Sequence, residues 1–372
     1  MRKWQSYKNL GDVVTIIMGQ SPSSDTYNDK EGLPFFQGNA DFGKEHPTVR
    51  VFCNSPIRIA EPNDILISVR APIGAINIAD RQCCIGRGLA AIRGANSVSN
   101  RFLYFFLTAS KNTLISQGTG STFKSIGKDA LKNLQMPVFN LNEQERIVSE
   151  LDLLAGIIDK QKQQLKELDT LAQSIFYDMF GSPDANEKEW IMKSLAEIGT
   201  IVSGSTPSTS DESNWDGDVN WVTPAELVVQ LFYGETRRKI TSKAAKSLTI
   251  MPIGTLLMSS RAPIGKLAIT SVPMCCNQGF KNIVCGNNVN NIYLYYCLML
   301  NINSIKAMGR GATFKEVSKQ AVSSFEIMLP PMNLQELFAQ KILSIESQKE
   351  SINRSIAESQ KLFDYTMDKY FG

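Results

Sequence analysis

The chain has 372 residues, 43% of them hydrophobic and 20% charged, and its 39 Lys and Arg against 36 Asp and Glu leave a net charge of +3. This composition excludes a disordered chain and is enough for two or three cores of ordinary size. No apolar run approaches the roughly 20 residues of a membrane span, and the opening Met-Arg-Lys-Trp-Gln-Ser lacks the apolar stretch of a secretory signal.

Up to about residue 141 the sequence alternates short apolar runs with Gly, Pro, Asn and Ser, the pattern of strands and turns. Asp64-Ile-Leu-Ile-Ser-Val-Arg70 reads as a strand, and Arg101–Ser110 as a short aromatic-rich helix. From 142 to 181 the pattern changes: Ile147, Leu151, Leu154, Ile158, Gln161, Leu165, Leu168, Ala172, Ile175 and Met179 follow alternating spacings of four and three. A second mixed segment, 182–332, contains the strand Gly254-Thr-Leu-Leu-Met-Ser-Ser260 and the aromatic helix Ile292–Leu300. The last segment, 333–372, returns to the heptad with Phe338, Ile342, Ile345, Lys349, Ile352, Ile356, Ser359, Phe363, Thr366 and Tyr370.

A strict 3.5-residue repeat specifies a left-handed coiled coil, and about 38 residues of it run roughly 57 Å. Helix one delivers the chain to the second globule. Helix two must return if it is to pack on helix one, so the pair is expected to be antiparallel. The expected fold is α+β: two pseudo-two-fold-related globular domains, 1–141 and 182–332, joined by two long antiparallel coiled-coil helices, 142–181 and 333–372.

The segments repeat one another in detail. Arg70-Ala-Pro-Ile-Gly74 returns as Arg261-Ala-Pro-Ile-Gly265, 191 residues later. At the same offset Gly118-Thr-Gly-Ser-Thr-Phe-Lys124 meets Gly309-Arg-Gly-Ala-Thr-Phe-Lys315, Gln144-Glu145 meets Gln335-Glu336, and Phe180-Gly181 meets Phe371-Gly372. Gly19-Gln-Ser-Pro22 resembles Gly204-Ser-Thr-Pro207 near each start. Matches in Gly and Pro mark shared turns, so most of them record fold.

Charge is divided between the parts. Residues 1–141 carry +6 and 182–332 carry +2, whereas the helical stretches carry −4 and −1. Basic globules suit nucleic acid, and acidic helices suit protein partners. The seven cysteines include the doublets Cys83-Cys84 and Cys275-Cys276 and no Cys-x-x-Cys. They read as small buried hydrophobes of a reduced, cytoplasmic protein, with no metal cage. No Asn-Pro-Pro-[Phe/Tyr], P-loop or Glu-x-Lys sequence is present, and His46 is the only histidine. No catalytic constellation emerges, and the chain is expected not to be an enzyme.

The duplicated layout, the Gly-x-x-Pro starts, the Arg-Ala-Pro-Ile-Gly turns and the Gly-x-Gly-x-Thr-Phe-Lys segments together resemble the specificity subunit of type I restriction–modification systems. The Gln-Glu that opens each long helix and the aromatic-Gly that closes it complete the resemblance, which covers essentially the whole chain. It implies two domains that each read half of a split, asymmetric sequence in double-stranded DNA. It also implies helices that set the gap and dock two methyltransferase subunits, with restriction–translocase subunits as further partners and no membrane. No cofactor is expected on this chain; S-adenosylmethionine, ATP and Mg are expected on the partners. A type IIB-like recognition subunit and a coiled-coil scaffold remain alternatives.

Arg70 and Arg261 stand where a guanidinium would fork onto phosphate or guanine, or else clamp the domain from within. Lys124 and Lys315 follow Gly-rich runs whose amides and hydroxyls (Ser121, Thr122, Thr313) suit a phosphate. Base readers should differ between the domains, so the unmatched segments matter most. These are Ser23–Lys30, Gln37–Lys44 and Arg81–Arg87 in the first domain, and Ser208–Trp215, Trp221–Glu226 and Arg237–Lys239 in the second. Arg87, Arg237 and Arg238 are the candidates they supply.

Overall fold

A computed structural model describes residues 6–120, 124–228, 230–261, 263–309 and 315–372. The chain forms two compact units, Met1–Lys162 with Arg354–Gly372, and Gln163–Asn353. Each unit therefore takes one half of each long helix, Leu141–Phe180 and Met332–Phe371, where the sequence assigns the helices whole to separate spacers. The cause is packing, since each globule buries its own helix layer against the nearer helix halves.

Unit 1 holds a four-stranded antiparallel sheet in the order Val14–Met18, Leu89–Gly94, Ile65–Ser68, Ile76–Ile78. A second sheet contains Tyr27–Asn28, Phe52–Cys53, Leu33–Phe36, Cys83–Ile85 and Ile59–Ala60. The central strand Ile65–Ser68 is buried throughout. Side chains alternate across a strand: Ile65 and Ile67 join the core under the helix Asn100–Ala109, and Leu66 joins Phe36, Cys83 and Ile85 on the other face. A strand covered on both faces reads as an unbroken apolar run rather than an alternating one. Unit 2 repeats the plan, with Leu256 and Met258 facing the helix side and Leu257 facing Ala268 and Phe280. Its five-stranded sheet runs Gly199–Ser203, Lys281–Cys285, Leu256–Met258, Leu267–Thr270, Phe232–Tyr233. A three-stranded sheet of Arg238–Ile240, Trp215–Val222 and Met274–Cys276 lies in the same unit.

Within each unit the helix halves pair antiparallel. In unit 1 Tyr370 Oη donates to Glu150 at 2.8 Å and Gln161 Nε2 to Ser355 Oγ at 2.7 Å. In unit 2 Lys349 meets Asp169 at 2.9 Å. Ile147, Leu151, Leu154 and Ile158 are buried, as the heptad requires. The register changes near the end of the first long helix: Phe176 and Phe180 are fully buried, and Ile175 and Met179 are only partly covered. There the buried face shifts by one residue onto an aromatic cluster that includes Phe338 of the second long helix, with Phe180 at 4.9 Å from Tyr293 and 5.4 Å from Phe338 between ring centroids. Full burial of each such ring stabilises by about 1.5–3 kcal/mol, enough to override a heptad preference.

The repeated Gln144 and Gln335 join globule to helix. Gln144, 2% exposed, accepts from the Ser99 N–H at 2.9 Å and donates to the carbonyls of Ser97 and Phe139, both at 2.9 Å. Gln335, fully buried, accepts from the Asn290 N–H at 2.8 Å and donates to the Pro330 carbonyl at 2.8 Å. Each amide thus satisfies backbone groups just ahead of the aromatic helix and at the start of the long helix. Arg101 adds a clamp in unit 1, pairing with Asp152 on the long helix and Glu45 on a loop, both at 2.6 Å.

All seven cysteines are free and all but Cys285 are buried. Burial pushes the thiols of Cys83 and Cys276 up to about 12, so they remain protonated. Among the described residues no helix is long and apolar enough to cross a membrane.

Replacing Gln144 or Gln335 with Leu leaves buried backbone groups unsatisfied, at about 1–3 kcal/mol for each group. Each variant is expected to lower the urea midpoint of the full chain and to speed hydrogen exchange at the Ser99 or Asn290 amide respectively. An unchanged midpoint with unchanged protection would remove the glutamines from this role.

Candidate nucleic-acid interface

Two motifs about fifty residues apart in sequence form one surface in each unit. In unit 1, Thr119 and Ser125 exchange backbone hydrogen bonds at 3.0 and 2.9 Å, and Arg70 lies beside Ser125 in an antiparallel bridge. In unit 2, Arg261 bridges Glu316 in the same way. A Cβ at Gly118 would come within 2.8 Å of the Ile73 side chain, and one at Gly309 within 3.0 Å of Ile264. The turn itself closes on Ser68, whose hydroxyl donates to the Pro72 carbonyl at 2.6 Å, and on Ser259, which donates to that of Pro263 at 2.6 Å. Gly74 and Gly265 take φ of +80° and +86°, in the region that favours glycine. The repeated letters therefore serve turn closure, and the arginine that opens each motif is exposed. Lys124 and Lys315 are exposed on the same surfaces. Ser121, Thr122 and Thr313 lie outside the described residues.

The two arginines differ in their surroundings. Arg261 Nε meets Glu316 at 2.9 Å, and the same carboxylate accepts from the nearly buried Lys281 ammonium at 3.2 Å. Burial alone raises the Glu316 carboxyl, but hydrogen bonds from Arg261 and Lys281 outweigh it and hold the group below the usual carboxylate range. In unit 1 the matching positions are Ser125 and Ala90. Among the described residues, the Arg70 side chain has neither an ion-pair nor a hydrogen-bond partner. Sequence reasoning overlooked Glu316 and Lys281; their mismatch with Ser125 and Ala90 was the available signal.

A second surface gathers the unmatched segments around the Gly-x-x-Pro start. Gly19 is required by close approach, since a Cβ there would lie 2.1 Å from the Gly86 carbonyl oxygen, and Gly204 meets that of Cys276 at the same distance. In unit 1, Gln20, Ser21, Tyr27, Gln37 and Arg87 line one depression. Tyr27 stacks on Phe35 with centroids 4.6 Å apart and donates to the Pro22 carbonyl at 2.8 Å. The Arg87 N–H donates to Ser21 Oγ at 3.2 Å, and its side chain is exposed. In unit 2 the aromatic pair is Trp215 and Trp221, 5.1 Å apart and edge to face. Their indole N–H groups donate to the carbonyls of Ser208 and Ser205 at 3.2 and 3.1 Å. The Arg238 guanidinium lies 3.7 Å from the centroid of the Trp215 ring and 5.7 Å from that of Trp221. Arg237 is exposed, with its backbone N–H donating to Glu226 at 2.8 Å. Trp215, Trp221 and Arg238 thus come from three separate unmatched segments and meet at one place. The Trp pair was within the segments singled out from sequence, but its contact with Arg238 was not visible there. His46 sits in an exposed loop with Nδ1 2.9 Å from the Ile78 carbonyl oxygen.

Comparison with known proteins agrees with this layout. Residues 1–170 and 187–359 each match the type I restriction modification DNA specificity domain. The chain is 41% identical over 157 residues to the putative type I restriction enzyme MjaX specificity subunit of Methanocaldococcus jannaschii, a match covering 41% of this chain and 37% of that one. It is 24% identical over 300 residues to the type I restriction enzyme EcoR124I/EcoR124II specificity subunit of Escherichia coli, covering 74% of this chain and 72% of the relative. The chain therefore aligns with little more than a third of the first of these relatives.

Its fold is shared with the crystal structure of the S subunit of a type I restriction–modification system from M. genitalium, at a TM-score of 0.59 and 15% identity over 99% of this chain and 96% of the other. A structure described for complex assembly and conformational transition of the type I R-M system matches with a TM-score of 0.65 and 18% identity, over 99% and 97% of the two chains. With two copies of the domain covering most of its length, the chain belongs to the type I restriction–modification DNA specificity family.

Proposed function

We propose that this chain is the non-catalytic specificity subunit of a type I restriction–modification complex, each unit reading one half of a split, asymmetric target in double-stranded DNA. The observation that carries the reading is the division of labour within each unit. Matched residues close turns and seat helices, and unmatched polar and aromatic residues converge on one exposed patch: Tyr27, Gln37 and Arg87 in unit 1, Trp215 and Arg238 in unit 2. A reader of two different half-sites needs one scaffold and two readout surfaces.

The long helices set the gap between the half-sites and dock two methyltransferase subunits, with restriction–translocase subunits joining the assembly. Exposed apolar side chains on the unit 1 helix halves support docking; Leu153, Leu362 and Tyr365 are 66%, 52% and 64% exposed. S-adenosylmethionine, ATP and Mg belong on those partners. Methylome sequencing of a host with and without the chain tests the reading as a whole: a two-part methylated motif should disappear on deletion. No such motif in either host would return the chain to the scaffold reading.

One heptad inserted into each helix adds about 10 Å, close to three base pairs at 3.4 Å each. The recognised half-sites should keep their sequences while the gap between them widens. Altered half-sites at an unchanged gap would show that the helices do not set the spacing.

The unequal arginines generate a second expectation. With the chain assembled with its partners, Arg70→Ala should lower the slope of log affinity against log salt by about 0.9, the contribution of one phosphate. Arg261→Ala should leave that slope unchanged and lower the stability of unit 2, since Glu316 already holds the guanidinium. Equal slope changes in a duplex titration over a salt series would refute the asymmetry.

A further inference from the structure

We infer that Arg238 reads a guanine in the half-site recognised by unit 2, through the major-groove edge of the base. The inference rests on the proposed function and adds a residue and a base to it.

Exposed arginines usually spread over many rotamers, and binding must gather them at a cost. Arg238 is gathered in advance. Its guanidinium carbon lies 3.7 Å from the Trp215 ring centroid, the contact distance of two stacked planar groups. Trp215 is itself held by its bond to Ser208 and by the edge of Trp221, which is 3% exposed and bonded to Ser205. The strand that carries Arg238 is fixed too: it pairs with Trp221 in register, and its carbonyl accepts from Thr236 Oγ1 at 2.8 Å. All guanidinium donors lie in the plane of the group, so stacking on its face leaves them free along the rim. Arg50, Arg81, Arg93, Arg101 and Arg261 have carboxylate partners. Arg238 has none among the described residues.

A rigid, planar fork of donors matches two adjacent acceptors. In the major groove guanine offers that pair, N7 and O6, whereas adenine offers an acceptor beside a donor, cytosine a donor, and thymine one acceptor beside a methyl. Phosphate also accepts a fork, but phosphate contacts carry no sequence, and this cation has no counterpart in unit 1. The strand Phe52–Cys53 pairs with Tyr27–Asn28 and Leu33–Phe36 as Arg238–Ile240 pairs with Trp215–Val222. Cys53 thereby matches Ile240, and Val51 matches Arg238. Val51 packs on Phe35 and Cys53 and offers no donor from its side chain. The same strand position is apolar in one unit and a preorganised cation in the other, as a residue that distinguishes two half-sites should be.

The test uses the chain assembled with its methyltransferase partners and duplexes carrying the motif found by methylome sequencing. Each guanine of the motif is replaced in turn by 7-deazaguanine, which lacks the N7 acceptor. Wild type is expected to lose about 10- to 100-fold in affinity at one guanine. Arg238→Ala should lose a similar factor on the unmodified duplex and be indifferent to the replacement at that guanine alone. Arg238→Lys, which keeps the charge without the fork, should behave like the alanine variant, and its retained binding of the other half-site reports an intact fold. A variant equally sensitive to wild type at every guanine, a uniform loss on all sequences, or a motif without guanine in either half would overturn the assignment. A wild-type complex with no sequence preference at all would instead overturn the proposed function beneath it.

Discussion

A globule that must present a surface in a defined direction depends on how it is tied to its support, and here the tie is a buried amide. Gln144 and Gln335 each reach back from the first turn of a long helix to backbone groups ahead of the aromatic helix of the same unit. A carboxamide has both a donor and an acceptor, and burial makes every unmade bond costly. Its bonds to the globule are therefore directional and costly to break. Apolar packing alone lacks that directionality. The aromatic contacts follow once the amide has set the angle: Phe102 and Phe106 against Phe371 in unit 1, Tyr293 and Tyr296 among Phe176, Phe180 and Phe338 in unit 2.

The fold was legible where the physics is local. Gly74 and Gly265 need a left-handed backbone, Gly19 and Gly204 need room for a crossing carbonyl, and such needs write themselves into single letters. The heptads were legible for the same reason, because burial on a helix has a fixed period. The last turns of the first long helix were not. Whether Ile175 or Phe176 faces inward depends on a cluster assembled from residues more than a hundred positions away, which no local period records.

The candidate site was legible only in part, and through failure of the repeat. Unmatched segments pointed to Arg87, Arg237 and Arg238, but not to what those side chains touch. Arg238 gains its meaning from Trp215 and Trp221 on a neighbouring strand, and Arg261 loses its freedom to Glu316, 55 residues away. Arg70 and Arg261 are the same letter in the same motif, yet one is open and the other neutralised. The difference was written at positions 125 and 316, outside the motif. A repeated residue is evidence of a repeated backbone, and its electrostatics must be read from the surroundings.

That distinction explains how one duplicated scaffold carries two different surfaces without disturbing its core. The substitutions that separate the units fall at positions whose backbone roles are already met by neighbours. Val51 and Arg238 occupy the same place on matching strands, and Arg87 and Gln278 both stand between a pleated strand and the Gly-x-x-Pro segment; Gln278 accepts there from Thr206 Oγ1 at 2.7 Å. Exchange at such sites changes charge and donor pattern while the sheet pairing, the glycine crossings and the glutamine ties persist. Placing a lone cation there would still cost order in the side chain, and the aromatic pair supplies that order beforehand. Where the aromatic pair is Tyr27 and Phe35, no cation is stacked on it among the described residues, and the arginine lining the same depression is Arg87. The scaffold thus holds two places for an exposed arginine and fills a different one in each unit, which makes the surfaces distinct at little disturbance to the fold.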